Sequence, residues 1–174
     1  MVNSFHKKVA SKRSQTTGKK SRVREKNLFR KEERAGAFDH VPADYLGLTS
    51  HALVELYEKA IALLELREIK ESLKIFNLLT LLHPYSSDFW YGLGQVLRED
   101  GGVQEALKAY AMAEMIDPDC LDIYEEEIDC CLALQKDEEA CRVYKRMLLH
   151  KKTIVDFEER KDEVKDIEKV LFLK

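Results

Sequence analysis

Histidines, cysteines and clustered carboxylates are the side chains here that could do chemistry, and none is spaced for it. The five His residues stand at positions 6, 40, 51, 83 and 150, scattered rather than paired for a metal, and there is no glycine-rich phosphate loop. Cys120, Cys130, Cys131 and Cys141 contain no C-x-x-C pair. With His150 they make a zinc set on paper, but the adjacent Cys130 and Cys131 project from different helix faces, so reduced, structural thiols are the better reading. Glu125-Glu126-Glu127 reads as a solvated helix face rather than an acid–base pair. No enzyme, cofactor or metal is therefore expected, and recognition is the chemistry that remains. Its candidates are Tyr57, Ile61 and Leu64, then Tyr91, Gln95 and Arg98, then Glu125, Asp129 and Leu132. Tyr57 and Tyr91 join apolar area to a hydroxyl, as recognition surfaces often do.

The elements that must position this row repeat every 34 residues. Trp90, Leu93, Gly94, Leu97, Ala106, Tyr110, Ala113 and Pro118 stand at the spacings of a tetratricopeptide repeat. One period upstream lie Leu56, Ala60, Leu63, Ser72, Phe76, Leu79 and Pro84, and one downstream lie Tyr124, Ile128, Cys131, Ala140, Tyr144 and Met147. At about 100° per residue, Trp90, Leu93, Gly94 and Leu97 share one helix face. Gly94, Ala106 and Ala113 let neighbouring helices approach closely, with Tyr110 filling the space between them. Gly101-Gly102 ends the first helix and Pro118 closes the second. The outer repeats depart from the pattern: Lys59 and Glu127 stand in the slot of Leu93, and Arg67-Glu68 and Gln135-Lys136 in that of Gly101-Gly102. A single hairpin leaves an apolar face exposed, so stacking is obligatory. The recognition row lies one residue beyond each packing stripe, and stacking aligns it along an inner curve, where it either binds a client or is filled by the N-terminal segment.

The expected architecture is all-α: three tetratricopeptide repeats (53–86, 87–120, 121–152) in a curved stack of helical hairpins, with an N-terminal extension and a C-terminal capping helix. Residues 1–36 form a basic tail with too few large apolar residues for a core. Met1 to Arg34 carries 12 Lys+Arg against 3 Asp+Glu, and the remainder 17 against 29. With no aromatic interleaving beyond Phe5 and Phe29, a solvated tail or an acidic partner suits it better than nucleic acid. Residues 37–52, with Phe38, Val41, Tyr45, Leu46 and Leu48, either cap the stack or make a dimer contact, and Thr49 or Ser50 offers the first helix an N-cap. Thr153 with Asp156 resembles a capping box opening a terminal helix over 153–174, whose stripe is Ile154, Phe157, Val164, Ile167 and Leu171. No apolar run reaches the ~20 residues that span a bilayer, and the N-terminus lacks the features of a secretory signal, so the cytosol is the expected compartment.

The block from Leu56 to Pro118 resembles the class II chaperones of bacterial type III secretion, the SycD/LcrH family. The likeness rests on Leu56-Tyr57 with Ala60, on Phe76 with Leu79, and on Phe89-Trp90-Tyr91-Gly92-Leu93-Gly94 after Tyr85, and it extends over roughly Leu48 to Leu149. It implies a cytosolic bacterial protein that binds two hydrophobic translocators, keeps them soluble and apart, and releases them to the export apparatus. It also implies a client segment lying in the groove against Tyr57, Ile61, Leu64 and Tyr91, and dimerisation through the segment before the first repeat. The long basic tail departs from the family's usual pattern. Heat-shock carboxylate clamps use Lys, Asn and Arg where Tyr57, Ile61, Tyr91 and Gln95 stand here, which argues against that partner class. The main rival is a general tetratricopeptide adaptor that assembles soluble proteins.

Overall fold

The computed structural model describes residues 41–154 and 156–172. The basic tail and the start of the 37–52 segment lie outside the described residues. Eight helices run through the described chain: α1 (Pro42–Tyr45), α2 (Ser50–Glu65), α3 (Ile69–Leu82), α4 (Ser87–Glu99), α5 (Val103–Ile116), α6 (Leu121–Ala133), α7 (Asp137–Leu149) and α8 (Lys161–Phe172). There is no strand among the described residues. Helices α2 to α7 pack in chain order as three antiparallel hairpins, and α8 packs on α7.

The 34-residue period is carried by the backbone itself. The second helices of the hairpins begin at Ile69, Val103 and Asp137, and the turns before them place Arg67, Gly101 and Gln135 at φ 63°, 90° and 58°. Each turn has the same pair of bonds. Glu68 N donates to Leu63 O, Gly102 N to Leu97 O and Lys136 N to Cys131 O, all at 2.9 Å, while Arg67, Gly101 and Gln135 donate to Leu64, Arg98 and Leu132. This is the Schellman closure of a helix, whose left-handed residue is normally glycine. Arg67 and Gln135 adopt it despite their Cβ. A second repeated bond joins hairpins: Trp90 Nε1 donates to Pro84 O at 2.7 Å, and Tyr124 hydroxyl to Pro118 O at 2.8 Å. The residue opening each hairpin is thus tied to the proline closing the one before.

Close approach occurs at two glycines of α4. A Cβ on Gly92 would lie 2.1 Å from the Phe76 ring of α3, and one on Gly94 would lie 2.6 Å from the Tyr110 ring of α5. Gly92 therefore sets the spacing between the first and second hairpins, and Gly94 the spacing within the second. Phe76 and Tyr110 are buried at these contacts, and Leu79, Leu93, Tyr124 and Ile128 are buried elsewhere in the stack. Trp90 is only half-buried, its ring edge being used for the bond to Pro84. Lys59, in the slot of Leu93, is exposed.

The two ends are closed differently. Thr49 Oγ1 accepts from Ala52 N at 3.2 Å and caps α2. The short α1 rests on α3 through buried Ala43, while Tyr45 and Leu46 stay exposed. At the far end Ile154, Phe157, Val164, Ile167 and Leu171 all join one apolar cluster with Tyr124, Ile128, Cys131, Val143, Tyr144 and Met147. The terminal helix nevertheless starts at Lys161 and not at residue 153. Thr153 does not cap a helix: its hydroxyl lies 2.5 Å from Asp119 Oδ1 and 2.9 Å from His150 O, which fastens the connection to the stack and postpones the helix.

Replacing Gly92 with Ala forces a ring out of a packed contact, and overpacking of this kind costs about 1–3 kcal/mol. Thermal unfolding followed by circular dichroism should show a clearly lowered melting temperature; an unchanged melt would mean that the hairpins tolerate a wider spacing.

Candidate recognition face

The first helices of the hairpins, α2, α4 and α6, carry the row of residues expected to face a client. Ile61 and Leu64 on α2, Tyr91, Gln95 and Arg98 on α4, and Asp129 and Leu132 on α6 are half-buried, with part of each surface open. Two members of the row are placed otherwise. Tyr57 is 6% exposed, its ring set edge-on to Phe76 at 5.9 Å and tilted against Phe89 at 5.8 Å. It packs between the first and second hairpins, since a residue only 100° beyond the packing stripe is still reached by the helix stacked next. Glu125, at the same place in the third repeat, is also buried. Tyr91 is intermediate, leaning on the Tyr110 ring at 5.6 Å.

Glu125 is covered by the C-terminal segment. Arg160, whose side chain is 12% exposed, donates from Nη2 to Glu125 Oε2 and from Nη1 to Asp122 Oδ1, each at 2.6 Å. It also reaches Glu163 Oε2 at 2.8 Å and Asp156 Oδ2 at 3.3 Å. One guanidinium so gathers four carboxylates, two from α6 and two from its own segment. The local partners are readable from spacing, as an Arg four residues after Asp156 and three before Glu163. The bonds to α6 cross 35 and 38 residues and leave no local mark in the sequence.

The reading of Glu125-Glu126-Glu127 as a solvated face does not hold. Glu125 and Glu127 are buried and Glu126 is half-buried. Glu126 pairs with Arg98 of the preceding repeat, and Arg67 pairs with Glu99 in the same sense one repeat earlier. Glu127 fills the slot of Leu93 and is 1% exposed. Arg146 Nη2 donates to it at 2.8 Å, while the same guanidinium forks onto Glu114 at 2.8 and 2.6 Å. One cation thus serves two carboxylates. Burial, followed by the charge of Glu114, outweighs Arg146 and pushes the Glu127 carboxyl up to about 8. The signal was a charged residue standing in an apolar slot.

Cys130 and Cys131 sit in separate surroundings. Cys130 packs with Ala106, Tyr110, Ala113 and Ile123, and Cys131 with the terminal cluster. Burial pushes their thiols up to about 12 and about 11, which leaves little thiolate for reaction. No group of three metal-ligating side chains occurs among the described residues. No helix among them is long and apolar enough to cross a membrane.

Two outcomes follow from these buried charges. Arg160→Ala leaves Glu125 and Asp122 without their cation, a change that costs roughly 3–5 kcal/mol when an ion pair is fully buried and less here in proportion to residual exposure; chemical denaturation should show it, with partial recovery in Arg160→Ala/Glu125→Gln. For Glu127, a carboxyl near 8 in the fold and 4.5 when unfolded means that the folded chain binds the extra proton between those values. Its contribution to stability is therefore greatest below about 4.5 and falls as pH rises towards 8. Glu127→Gln should flatten that part of the melting temperature against pH; a profile identical to wild type would show that Glu127 is ionised throughout.

No family model matches the sequence, and no curated protein matches it. Solved structures do share its fold. The type III secretion translocator chaperone SycD of Yersinia enterocolitica superposes with a TM-score of 0.65 at 21% identity, over 79% of this chain and 100% of that one. PcrH, a Pseudomonas aeruginosa protein, in complex with the chaperone-binding region of PopD, gives 0.64 at 21% identity over 71% and 94%. A chain of the CopN–Scc3 complex gives 0.68 at 19% identity over 78% and 84%. The likeness is one of fold: the chain is built on the helical stack of the type III secretion translocator chaperones.

Proposed function

We propose that this chain is a type III secretion chaperone that holds an apolar segment of a hydrophobic translocator against α2, α4 and α6. The observation that carries the reading is the open, mixed row Ile61, Leu64, Tyr91 and Gln95 on a fold shared with PcrH bound to segments of PopD and PopB and with SycD bound to a YopD peptide. Apolar side chains at the start of the row and polar ones beyond it suit an extended segment whose apolar anchors enter first and whose backbone is then met by the amide of Gln95. Tyr57 supports this face from beneath and Glu125 is taken by Arg160, so the client contacts belong to the remaining residues: Ile61, Leu64, Tyr91, Gln95, Arg98 and Asp129. Covering a membrane-inserting client before export requires no bond to be made or broken. That work belongs in the bacterial cytoplasm, with release to the export apparatus; a homodimer would use the exposed Tyr45 and Leu46 beside α1.

Co-expression in bacteria with candidate translocators tests the reading. Wild type should yield a soluble complex, and Ile61→Asp or Leu64→Asp should lose it while melting close to wild type. If the translocators stay insoluble and a soluble partner is captured instead, a general adaptor replaces the chaperone.

A further inference from the structure

Beneath the middle of the recognition face lies a buried hydroxyl without a partner. Tyr110 of α5 is fully buried, and its phenol oxygen has no hydrogen-bond partner among the described residues. Buried polar groups are nearly always bonded, so an orphan of this kind calls for an explanation. The groups acting on it give its place. The Tyr91 ring lies 5.6 Å from its own. Burial, followed by the charge of Glu126, pushes the phenol well up, with Arg98 opposing and Tyr91 and Cys130 adding to the effect. The hydroxyl is therefore a neutral donor and acceptor set where α4, α5 and α6 meet.

Two carboxylates and a guanidinium stand with it. Arg98 pairs with Glu126 across the boundary between hairpins. Burial works against the Arg98 charge, but Glu126, and more weakly Asp129, outweigh it and hold the guanidinium above its ordinary value. Tyr91, Arg98, Glu126 and Asp129 are all half-buried, so the group opens to the recognition face. Each carboxylate has lone pairs for several donors, so the bond to Arg98 does not exhaust them. Packing does not call for this polarity. One repeat earlier the equivalents of Arg98, Tyr110, Glu126 and Asp129 are Leu64, Phe76, Gly92 and Gln95, and the same junction is built there without a charge.

We infer that this junction is a cation subsite, which takes a Lys or Arg side chain of an extended client segment whose apolar residues lie against Ile61 and Leu64. The inference rests on the groove reading above and names what the polar end of the row selects. A client ammonium or guanidinium donates to Glu126 and Asp129 in charge-assisted bonds. The Tyr110 hydroxyl accepts from the same cation, and the Tyr91 ring offers it an aromatic face. Access to the covered hydroxyl requires Arg98 to swing outward, which its long, part-exposed side chain permits. A client carboxylate would instead meet Glu126 and Asp129 with like charge. An apolar anchor and a cation at a fixed separation give the client one register along the row.

The test selects peptides of about 12 residues, ~40 Å long when extended, from a random phage-displayed library on the full chain. Retained sequences should carry apolar residues and a Lys or Arg at a constant distance from them. In a fluorescein-labelled synthetic copy, replacing that cation with Gln should weaken binding about tenfold. On Asp129→Asn the same replacement should cost about twofold or less. Tyr110→Phe separates binding from packing: losing an unbonded buried hydroxyl should leave the melting temperature of the free chain unchanged or raised. It should weaken the cationic peptide several-fold and leave the Gln peptide unaffected, while Ile61→Asp should abolish binding of both. The inference is overturned, and the groove reading stands, if Ile61→Asp abolishes binding of selected peptides that show no preference for Lys or Arg. It is also overturned if the Gln replacement costs as much on Asp129→Asn as on wild type, or if Tyr110→Phe weakens both peptides equally or neither. If no peptide is retained, the groove reading fails and this inference with it.

Discussion

Each helical hairpin has two apolar faces and can cover only one of them by its own folding, so the second must be covered by the next hairpin. Everything else in this chain depends on that stacking. It sets how closely helices approach, which is why Gly92 faces Phe76 across the boundary between hairpins and Gly94 faces Tyr110 within one. It also holds Arg67 and Gln135 in a backbone conformation that their side chains disfavour. The bonds from Trp90 to Pro84 and from Tyr124 to Pro118 fix the rotation of each hairpin on the one before, because indole and phenol are tied at the same point of the repeat.

A stack must also end, and the third repeat is where the chain departs from apolar packing. Glu127 takes a leucine's place, Glu125 a tyrosine's, and each is met by a cation from a distance: Arg146, shared with Glu114, for the first, Arg160 for the second. Buried charge of this kind adds little net stability over apolar packing, but it strongly penalises any arrangement that separates the partners. The terminal segment is accordingly held in one register by Arg160, beyond what the stripe from Ile154 to Leu171 would require. Asp122 and Glu125 of α6 are thereby taken up by the terminal segment.

The stack consequently presents two faces of different chemistry. The first helices show apolar residues that give way to amide, guanidinium and carboxylate groups along the row, with Arg98 and Glu126 already bound to each other across repeats. The second helices expose Leu81, Met115 and Leu149 at one place in the repeat. A repeat protein displays equivalent positions side by side, so a residue type recurring every 34 residues becomes a continuous surface without any long-range design. The same arithmetic aligned Ile61 with Gln95 and Asp129, and Leu81 with Met115 and Leu149.

The amino-acid sequence by itself determined the helical hairpins, their period and their turns, because small residues, aromatic residues and prolines at fixed spacings act locally or through the adjacent helix. It determined Thr49 as a cap and the apolar stripe of the terminal segment for the same reason. Tertiary structure alone decided how deeply each candidate is buried. Tyr57 was closed off by Phe89, a residue 32 positions away, and Glu125 by Arg160. It decided that the Glu127 carboxyl would be buried and pushed up, since desolvation depends on what surrounds a carboxyl and not on its neighbours along the chain. It also moved the start of the last helix from residue 153 to Lys161, because the hydroxyl of Thr153 found Asp119 before it could find a helix of its own. Periodicity places a residue on a face; only the packed neighbours determine whether that face meets water, a partner or the core.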